Sequence, residues 1–216
     1  MIYKEDKELL IKALQTYKSF GIQYIDDFSY HNLRSSHDKL DLPDDFNQLA
    51  EFIEHCSLCE LSKLTNKKTI GYGNPVSKIY FIDQALNIKD KKIMLLLEAM
   101  LRHLEISFQE IYITNIIKCT LDLSKDNKEK FCDSCKEYTF KQIDIKSPSV
   151  ILTFGDTWKY FLKLAPSDSI TYGRQYQYKD IVLFPMFDLE FLYKNPSYND
   201  DMIQHLEKVK GYLNSD

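Results

Sequence analysis

The residues of this chain with the clearest chemical potential are five cysteines, four of which form two Cys-x-x-Cys pairs. They are Cys56, Cys59, Cys119, Cys132 and Cys135. Two such pairs predict a tetrahedral zinc site formed by Cys56, Cys59, Cys132 and Cys135. Four thiolates spread along a chain are also typical of an iron–sulfur cluster, and free thiols of a reducing compartment are the third possibility. The residue types alone do not choose among these three.

A second group of candidate residues follows the predicted strands. The β-branched and aromatic run at 111–114 predicts a strand buried on both faces, and Asn115 comes directly after it. An asparagine amide offers donors and an acceptor to a planar polar ring. Polar or turn-forming residues also follow the other predicted strands, and the whole set is Asp83, Gln84, Asn87, Asn115, Gly155, Asp188 and Glu190. Because open α/β sheets bind ligands where their parallel strands end, we expect these residues to face one crevice.

The elements that must position these residues alternate between strand and helix. Apolar runs predict strands at 78–83, 111–114, 148–154 and 181–184. Apolar residues at helical spacing predict long helices at 90–104, 128–145 and 199–213. Asp156 is predicted to cap a further, short helix. The alternation predicts an α/β fold with three layers, α/β/α, around a central four-stranded and mainly parallel sheet.

The N-terminal part of the chain has a different pattern. Apolar spacing predicts an amphipathic helix at 6–20 and a second helix from Pro43 to about residue 56, with a polar, irregular segment between them. We interpret residues 1–50 as an N-terminal helical extension and residues 51–216 as the main domain. The extension is a candidate surface for a protein partner.

The composition limits the classes of function. With 44% hydrophobic and 28% charged residues, the chain is typical of a globular protein rather than a disordered one. No apolar run is long enough to span a membrane, and the first residues lack a signal core, so we expect a cytoplasmic protein without membrane contact. A net charge of -4 indicates that any DNA contact is local. Candidate phosphate contacts are Lys118, Arg174 and Lys194.

Several segments carry motifs in a recognisable order. They are Cys56-Ser-Leu-Cys-Glu-Leu-Ser-Lys63, Gly71-Tyr-Gly-Asn-Pro75, Ile111-Tyr-Ile-Thr-Asn-Ile-Ile-Lys-Cys119, Ser149-Val-Ile-Leu-Thr-Phe-Gly155, and the stretch 184–196. Together these segments resemble the family 4 uracil-DNA glycosylases, and the resemblance covers roughly residues 50–213. It implies the fold of that family and an activity on DNA.

The resemblance also implies a cofactor and a base-reading residue. It assigns Cys56, Cys59, Cys119 and Cys135 as the ligands of a structural four-iron four-sulfur (4Fe-4S) cluster, with zinc as the alternative metal. Fifteen residues separate Cys119 from Cys135, as in the family, which leaves Cys132 outside the ligand set. Asn115 matches the asparagine that reads the extruded uracil.

The chain departs from the family at the motifs that carry catalysis. The family's Gly-Glu-Ala-Pro-Gly is Asp83-Gln-Ala-Leu-Asn87 here, and its His-Pro-Ser is Asp188-Leu-Glu190. Gln84 can position a water but cannot act as a base, and Asp83 is the candidate to take over that role. An ionised Asp188 would repel the anion that develops on a leaving uracil, whereas a protonated Asp188 would restore a donor.

The remaining candidate contacts lie beside these motifs. Ala85 occupies the altered first motif and is a candidate substrate contact. Phe191, Leu192 and Tyr193 stand where the family carries its duplex-penetrating loop, and apolar wedges suit that use, although core packing of one helix face explains them equally well. Two functions remain open: excision of uracil from DNA with altered catalytic residues, or a catalytically silent protein that keeps the cluster and binds DNA or a protein partner.

Overall fold

The computed structural model describes residues 42–120, 125–163 and 169–215 of the chain. These residues belong to one compact unit that begins at Leu42. The helix predicted at 6–20 lies outside the described residues. None of the helices in the described ranges is both long and apolar enough to cross a membrane.

The elements follow the predicted alternation closely. The α-helices of the described residues are α1 (Phe46–Glu54), α2 (Glu60–Leu64), α3 (Lys91–Leu104), α4 (Lys125–Lys146), α5 (Leu189–Lys194) and α6 (Asn199–Leu213). The strands are β1 (Tyr72–Gly73), β2 (Ile79–Asp83), β3 (Ile111–Asn115), β4 (Val150–Phe154), β5 (Tyr176–Tyr178) and β6 (Ile181–Met186). Short 3-10 helices cover Phe108–Glu110, Gly155–Tyr160 and Pro196–Tyr198.

The strands form one sheet in the order β1-β3-β2-β4-β6-β5. The inner pairs β3–β2, β2–β4 and β4–β6 are all parallel, which confirms the predicted four-stranded parallel centre. The edge strands β1 and β5 run antiparallel to their neighbours. These edge strands contain only two and three residues, too few for a period-of-two pattern to be recognised in the sequence.

The inner strands are buried along their whole length, as expected for a parallel sheet covered on both faces. On one face Phe81, Leu152 and Phe184 pack with the apolar stripes of α3 and α6. On the other face Tyr80 and Ile151 pack with residues that include α4 side chains. The three-layer α/β/α arrangement is therefore confirmed.

Helix α1 packs on the body of the compact unit. Asp45 begins the helix by accepting the amide protons of Asn47 and Gln48, and the buried Leu49 and Ile53 then contact Tyr138 of α4. The compact unit thus includes residues that the sequence interpretation had assigned to the 1–50 extension.

The strand register aligns the exits that carry the candidate residues. Asp83 at the end of β2 lies beside Asn115 at the end of β3, and Phe154 of β4 lies beside Met186 of β6. The backbone after β4 turns at Gly155, whose φ of 56° is in the left-handed region. One detail of the prediction was wrong: Asp156 is not a cap, because the 3-10 helix begins at Gly155 after Phe154 and Asp156 lies in its first turn.

Candidate active site

A cavity of about 510 Å³ lies at the carboxyl ends of the parallel strands. Three of the four predicted strand exits contribute to its wall, through Gln84 after β2, Gly155 after β4 and Asp188 after β6. The other described residues that line it are Glu129, Asp156, Lys159, Tyr160, Tyr172, Phe187, Phe191 and Tyr198. The expected crevice therefore exists, and most of its wall is aromatic or charged.

Asn115 is not part of this wall, because its amide is already occupied. Its Oδ1 accepts the amide proton of Leu86 over 3.0 Å, and its Nδ2 donates to the carbonyl of Leu86 over 2.9 Å. The residue is 5% exposed. The main chain of the altered first motif thus covers the side chain that the resemblance assigns to base reading.

Asp83 and Ala85 are also not among the described residues that line the cavity. Asp83 is buried, and its Oδ1 accepts the amide proton of Ala85 over 2.8 Å. That contact shapes the turn after β2 and leaves Gln84, between the two, as the part of this motif that reaches the cavity.

Asp188 is held at the wall by its neighbours. Its Oδ1 accepts the amide proton of Phe191 over 2.7 Å, so the carboxylate caps the first turn of α5. Gly155 lies directly opposite, where an added Cβ would be 3.2 Å from the Asp188 Oδ2. A protonated Asp188 could therefore donate to a leaving uracil only through Oδ2, because Oδ1 accepts the Phe191 amide proton.

The apolar residues of α5 divide into an exposed and a buried group. Phe191 is 37% and Tyr193 46% exposed, whereas Leu192 is 3% exposed and belongs to the core with Leu189. Leu192 therefore does not have the exposure that an intercalating wedge needs, and this part of the expectation is corrected. The sequence of a short apolar run does not show which residue faces the core, because that depends on how the helix is oriented against its neighbours.

Four of the five thiols interact with one another. Cys59 and Cys135 share a hydrogen bond, and this bond lowers the pKa of Cys59 to about 6 against the opposing effect of burial. Burial raises the pKa of Cys119, which also experiences the charges of Cys59 and Cys56. Cys56 in turn shares a hydrogen bond with Tyr138 of α4.

Cys132 has a different partner. It shares a hydrogen bond with Tyr160, whose pKa is raised mainly by burial and secondly by this bond. The thiols that influence one another are therefore Cys56, Cys59, Cys119 and Cys135, and their assignment as cluster ligands stays a prediction.

The chemistry of the donor set, four cysteine thiols, suits either an iron–sulfur cluster or a zinc ion. Within residues 42–120, 125–163 and 169–215, no group of three or more His, Cys, Asp or Glu side chains is arranged to hold one metal ion. A four-iron cluster binds each cysteine at a different iron atom, so its ligands stand further apart than those of one zinc ion. The pKa values of these thiols shift in different directions, because the bond between Cys59 and Cys135 lowers the pKa of Cys59 and raises that of Cys135, while burial raises that of Cys119.

Lys118 is buried in this region, and its prediction as a phosphate contact was wrong. It is 1% exposed and cannot contact phosphate, in contrast to the exposed Arg174 and Lys194. Its Nζ donates to Thr114 Oγ1 and Gln142 Oε1, each over 2.8 Å. Burial lowers the pKa of Lys118 to about 7, while the charge of Cys135 opposes that shift.

Comparison with known proteins points to one family. The family described as the Uracil DNA glycosylase superfamily matches residues 70–210. A type-4 uracil-DNA glycosylase of Sulfurisphaera tokodaii is 26% identical over 77% of this chain and 84% of its own length. The type-4 enzyme of Saccharolobus solfataricus is 26% identical over 80% and 88% of the two chains, and that of Thermotoga maritima 24% identical over 76% and 93%.

Proposed function

Because the superfamily match at residues 70–210 spans more than half of this chain, the chain belongs to the uracil DNA glycosylase superfamily, and we propose that it excises uracil from DNA. The reaction is hydrolysis of the N-glycosidic bond between uracil and deoxyribose, a step of base excision repair. The observation that carries the proposal is the cavity at the strand exits, whose wall includes Gln84 and Asp188 at the two motif positions of the family. Uracil-containing DNA is the partner that the proposal requires.

The chemistry begins with extrusion of the base, because the bond to be cleaved is inaccessible inside a base stack. In the cavity, Gln84 orients a water molecule by hydrogen bonding toward the sugar carbon. That water gives its proton to solvent as the bond to uracil breaks. The Asp188 carboxylate at the wall opposes the negative charge that develops on uracil, so the reaction is slow by the standards of glycosylases.

Base reading by Asn115 requires a local rearrangement. Leu86 offers Asn115 one amide proton and one carbonyl, the same kinds of group that uracil presents along its edge. Uracil must therefore displace the Leu86 main chain to reach the Asn115 amide. Phe191, exposed at the rim, is the candidate wedge that holds the duplex or strand open.

The cluster has a structural role in this proposal. Cys56, Cys59, Cys119 and Cys135 would hold it, and it would then join the segments before α2, after β3 and within α4. This chain's own residues perform the hydrolysis without it. A cytoplasmic location agrees with cysteines that must remain reduced to bind iron.

A second candidate function is a catalytically silent protein that keeps the fold and binds DNA. The specific observation in its favour is the pairing of Asn115 with Leu86, which closes the base reader in this conformation. The replacement of the family's Glu and His by Gln84 and Asp188 points the same way. A protein partner bound through residues 1–50 would suit either function.

A gel assay separates the two functions. A labelled single strand with one uracil is incubated with the protein and then treated with alkali, which breaks the strand at abasic sites. Cleavage that depends on uracil supports the enzyme. Absence of cleavage, together with binding to the same strand that weakens as salt rises, supports the silent protein.

A further inference from the structure

The cavity wall is rich in aromatic rings. Among the residues that the structure describes, five with aromatic rings line it: Tyr160, Tyr172, Phe187, Phe191 and Tyr198. Phe187 forms the centre, with ring centroids 4.9 Å from Tyr172 and 5.7 Å from Tyr198. The rings of Phe191 and Tyr198 are 5.0 Å apart at the rim. The faces of aromatic rings carry partial negative charge and attract cations.

The charged groups of the wall also favour the binding of a cation. The described part of the wall contains three carboxylates, those of Glu129, Asp156 and Asp188. Lys159 is the cation among the described lining residues, and it is bonded to Asp156 over 2.9 Å. The formal charges of the described lining residues therefore leave Glu129 and Asp188 without a compensating cation at the wall.

A cavity with this lining disfavours a leaving group that becomes an anion. Uracil leaves as an anion, and the wall provides the Asp188 carboxylate at the position where the family motif has a histidine. A base that is positively charged before cleavage suits this wall better. The wall attracts the charged base while it is bound, and the base leaves as a neutral molecule.

We propose that this cavity accepts nucleobases carrying a positive charge, the class of N-alkylated purines, in preference to uracil. The inference rests on the proposed glycosylase function and names a further substrate class for the same site. The aromatic rings stack on the charged base, and Asp188 and Glu129 stabilise its charge before the bond breaks.

The reaction with such a base balances without a further reactant. The oxygen of a water forms a bond to the sugar carbon C1′, and the bond from C1′ to the ring nitrogen breaks. The electron pair of that bond moves to the ring nitrogen and neutralises its positive charge. One proton of the water passes to solvent, and the products are a neutral alkylated purine and an abasic site.

Binding of a matched pair of oligonucleotides tests the charge preference. One strand contains 7-methylguanine, which is cationic, and the other contains 7-methyl-7-deazaguanine, which has the same shape without the charge. We expect the full-length protein to bind the cationic strand about tenfold more tightly. Equal affinity for the two strands overturns the inference.

Release of the free base, followed by chromatography, tests the role of the carboxylate. Asp188→Asn keeps an oxygen that can cap α5 but removes the charge. With protein and substrate both dilute, so that the rate depends on binding, we expect it to slow 7-methylguanine release about tenfold and to accelerate uracil release, a change of opposite sign that general damage to the fold would not produce. Asp200→Asn, an exposed carboxylate outside the cavity wall, is the matched control and should change neither rate.

The outcomes separate this inference from the proposed function. Uracil release without preferential binding or release of the cationic base overturns the inference and leaves the proposed function intact. Loss of both activities, with no preference for the cationic strand, overturns both. Spontaneous loss of 7-methylguanine is subtracted with a protein-free sample.

Discussion

At the scale of single residues, Asp188 connects the sequence departure to the cavity. Its carboxylate replaces a histidine of the family, caps α5 through the Phe191 amide, and lies against Gly155. One side chain thus has a structural and an electrostatic role. Its substitution separates the two, because rate reports the charge and thermal stability reports the cap.

Asp188→His should accelerate uracil excision. A neutral imidazole can donate to the developing anion, and one such donor is worth on the order of a hundredfold in rate. The loss of the cap should lower the free energy of unfolding by about 1 kcal/mol. Single-turnover excision and thermal unfolding measure the two effects. An unchanged or lower rate, with Asp200→His as the control, would contradict the role given to Asp188.

Asn115→Ala should abolish uracil excision and also destabilise the protein. The substitution leaves the amide and carbonyl of Leu86 buried without their partner, at a cost of about 1–3 kcal/mol for each unsatisfied group. Asn87→Ala is the matched control, since Asn87 is exposed and its side chain accepts the amide proton of Lys89. Excision at the normal rate by Asn115→Ala would remove Asn115 from the base-reading role.

This contact also shows what the sequence could not provide at the residue scale. The position of Asn115 at a strand exit was predictable, because the preceding run is buried and β-branched. Its pairing with Leu86, 29 positions earlier, was not, because that contact depends on the path of the turn after β2. Leu192 was misassigned for a related reason, since the face of a six-residue helix is set by its neighbours.

At the scale of elements, the long periodic segments were predictable and the short ones were not. Helix α6 spans the residues that the apolar spacing predicted, and the strands β2, β3 and β4 begin and end within two residues of the predicted bounds. The short elements β1, β5 and α2 were not predicted, and α5 was only one of two interpretations of its apolar residues; each of the four contains at most six residues. These short elements form the sheet edges and part of the cavity wall, so the site was less predictable than the fold.

Gly155→Ala should distort the turn that joins β4 to the cavity. An alanine at a φ of 56° costs about 1–2 kcal/mol, and its Cβ would press on Asp188 at 3.2 Å. We expect a lower unfolding temperature and a lower affinity for DNA bases in the cavity.

Gly211→Ala provides the matched control for that substitution. Gly211 lies in α6 with no atom near an added Cβ, so alanine there should raise the free energy of unfolding by about 0.5–1 kcal/mol. Equal effects of the two glycine substitutions on stability would contradict the strain assigned to Gly155.

The cysteine contacts predict which thiols carry the cluster. Cys135→Ser should remove the brown colour and the bound iron, because Cys135 lies in the interacting set with Cys59. Cys132→Ser should keep both, because Cys132 pairs with Tyr160. Absorption spectra and iron content of the purified proteins measure the difference. A colourless protein containing one zinc ion, lost on substitution of Cys132, would favour the zinc alternative.

At the scale of the whole molecule, one sheet brings together residues that are far apart in the sequence. The parallel strands bring Gln84, Gly155 and Asp188 to one cavity, while the loop after β3 leads from Asn115 to Cys119 in the thiol set. The fold class and this clustering were predictable from alternation of strand and helix. The aromatic and acidic character of the cavity was not, because Glu129, Tyr172 and Tyr198 come from elements far apart in the chain.

The release of free uracil tests the account most directly. The protein, with its cluster bound, is added in excess over a single strand containing one uracil, and the free base is quantified by chromatography over time. We predict a slow release that reaches the amount of strand present and is absent with Asn115→Ala. No free uracil above the protein-free sample, from protein that still binds the strand, would contradict excision as the function.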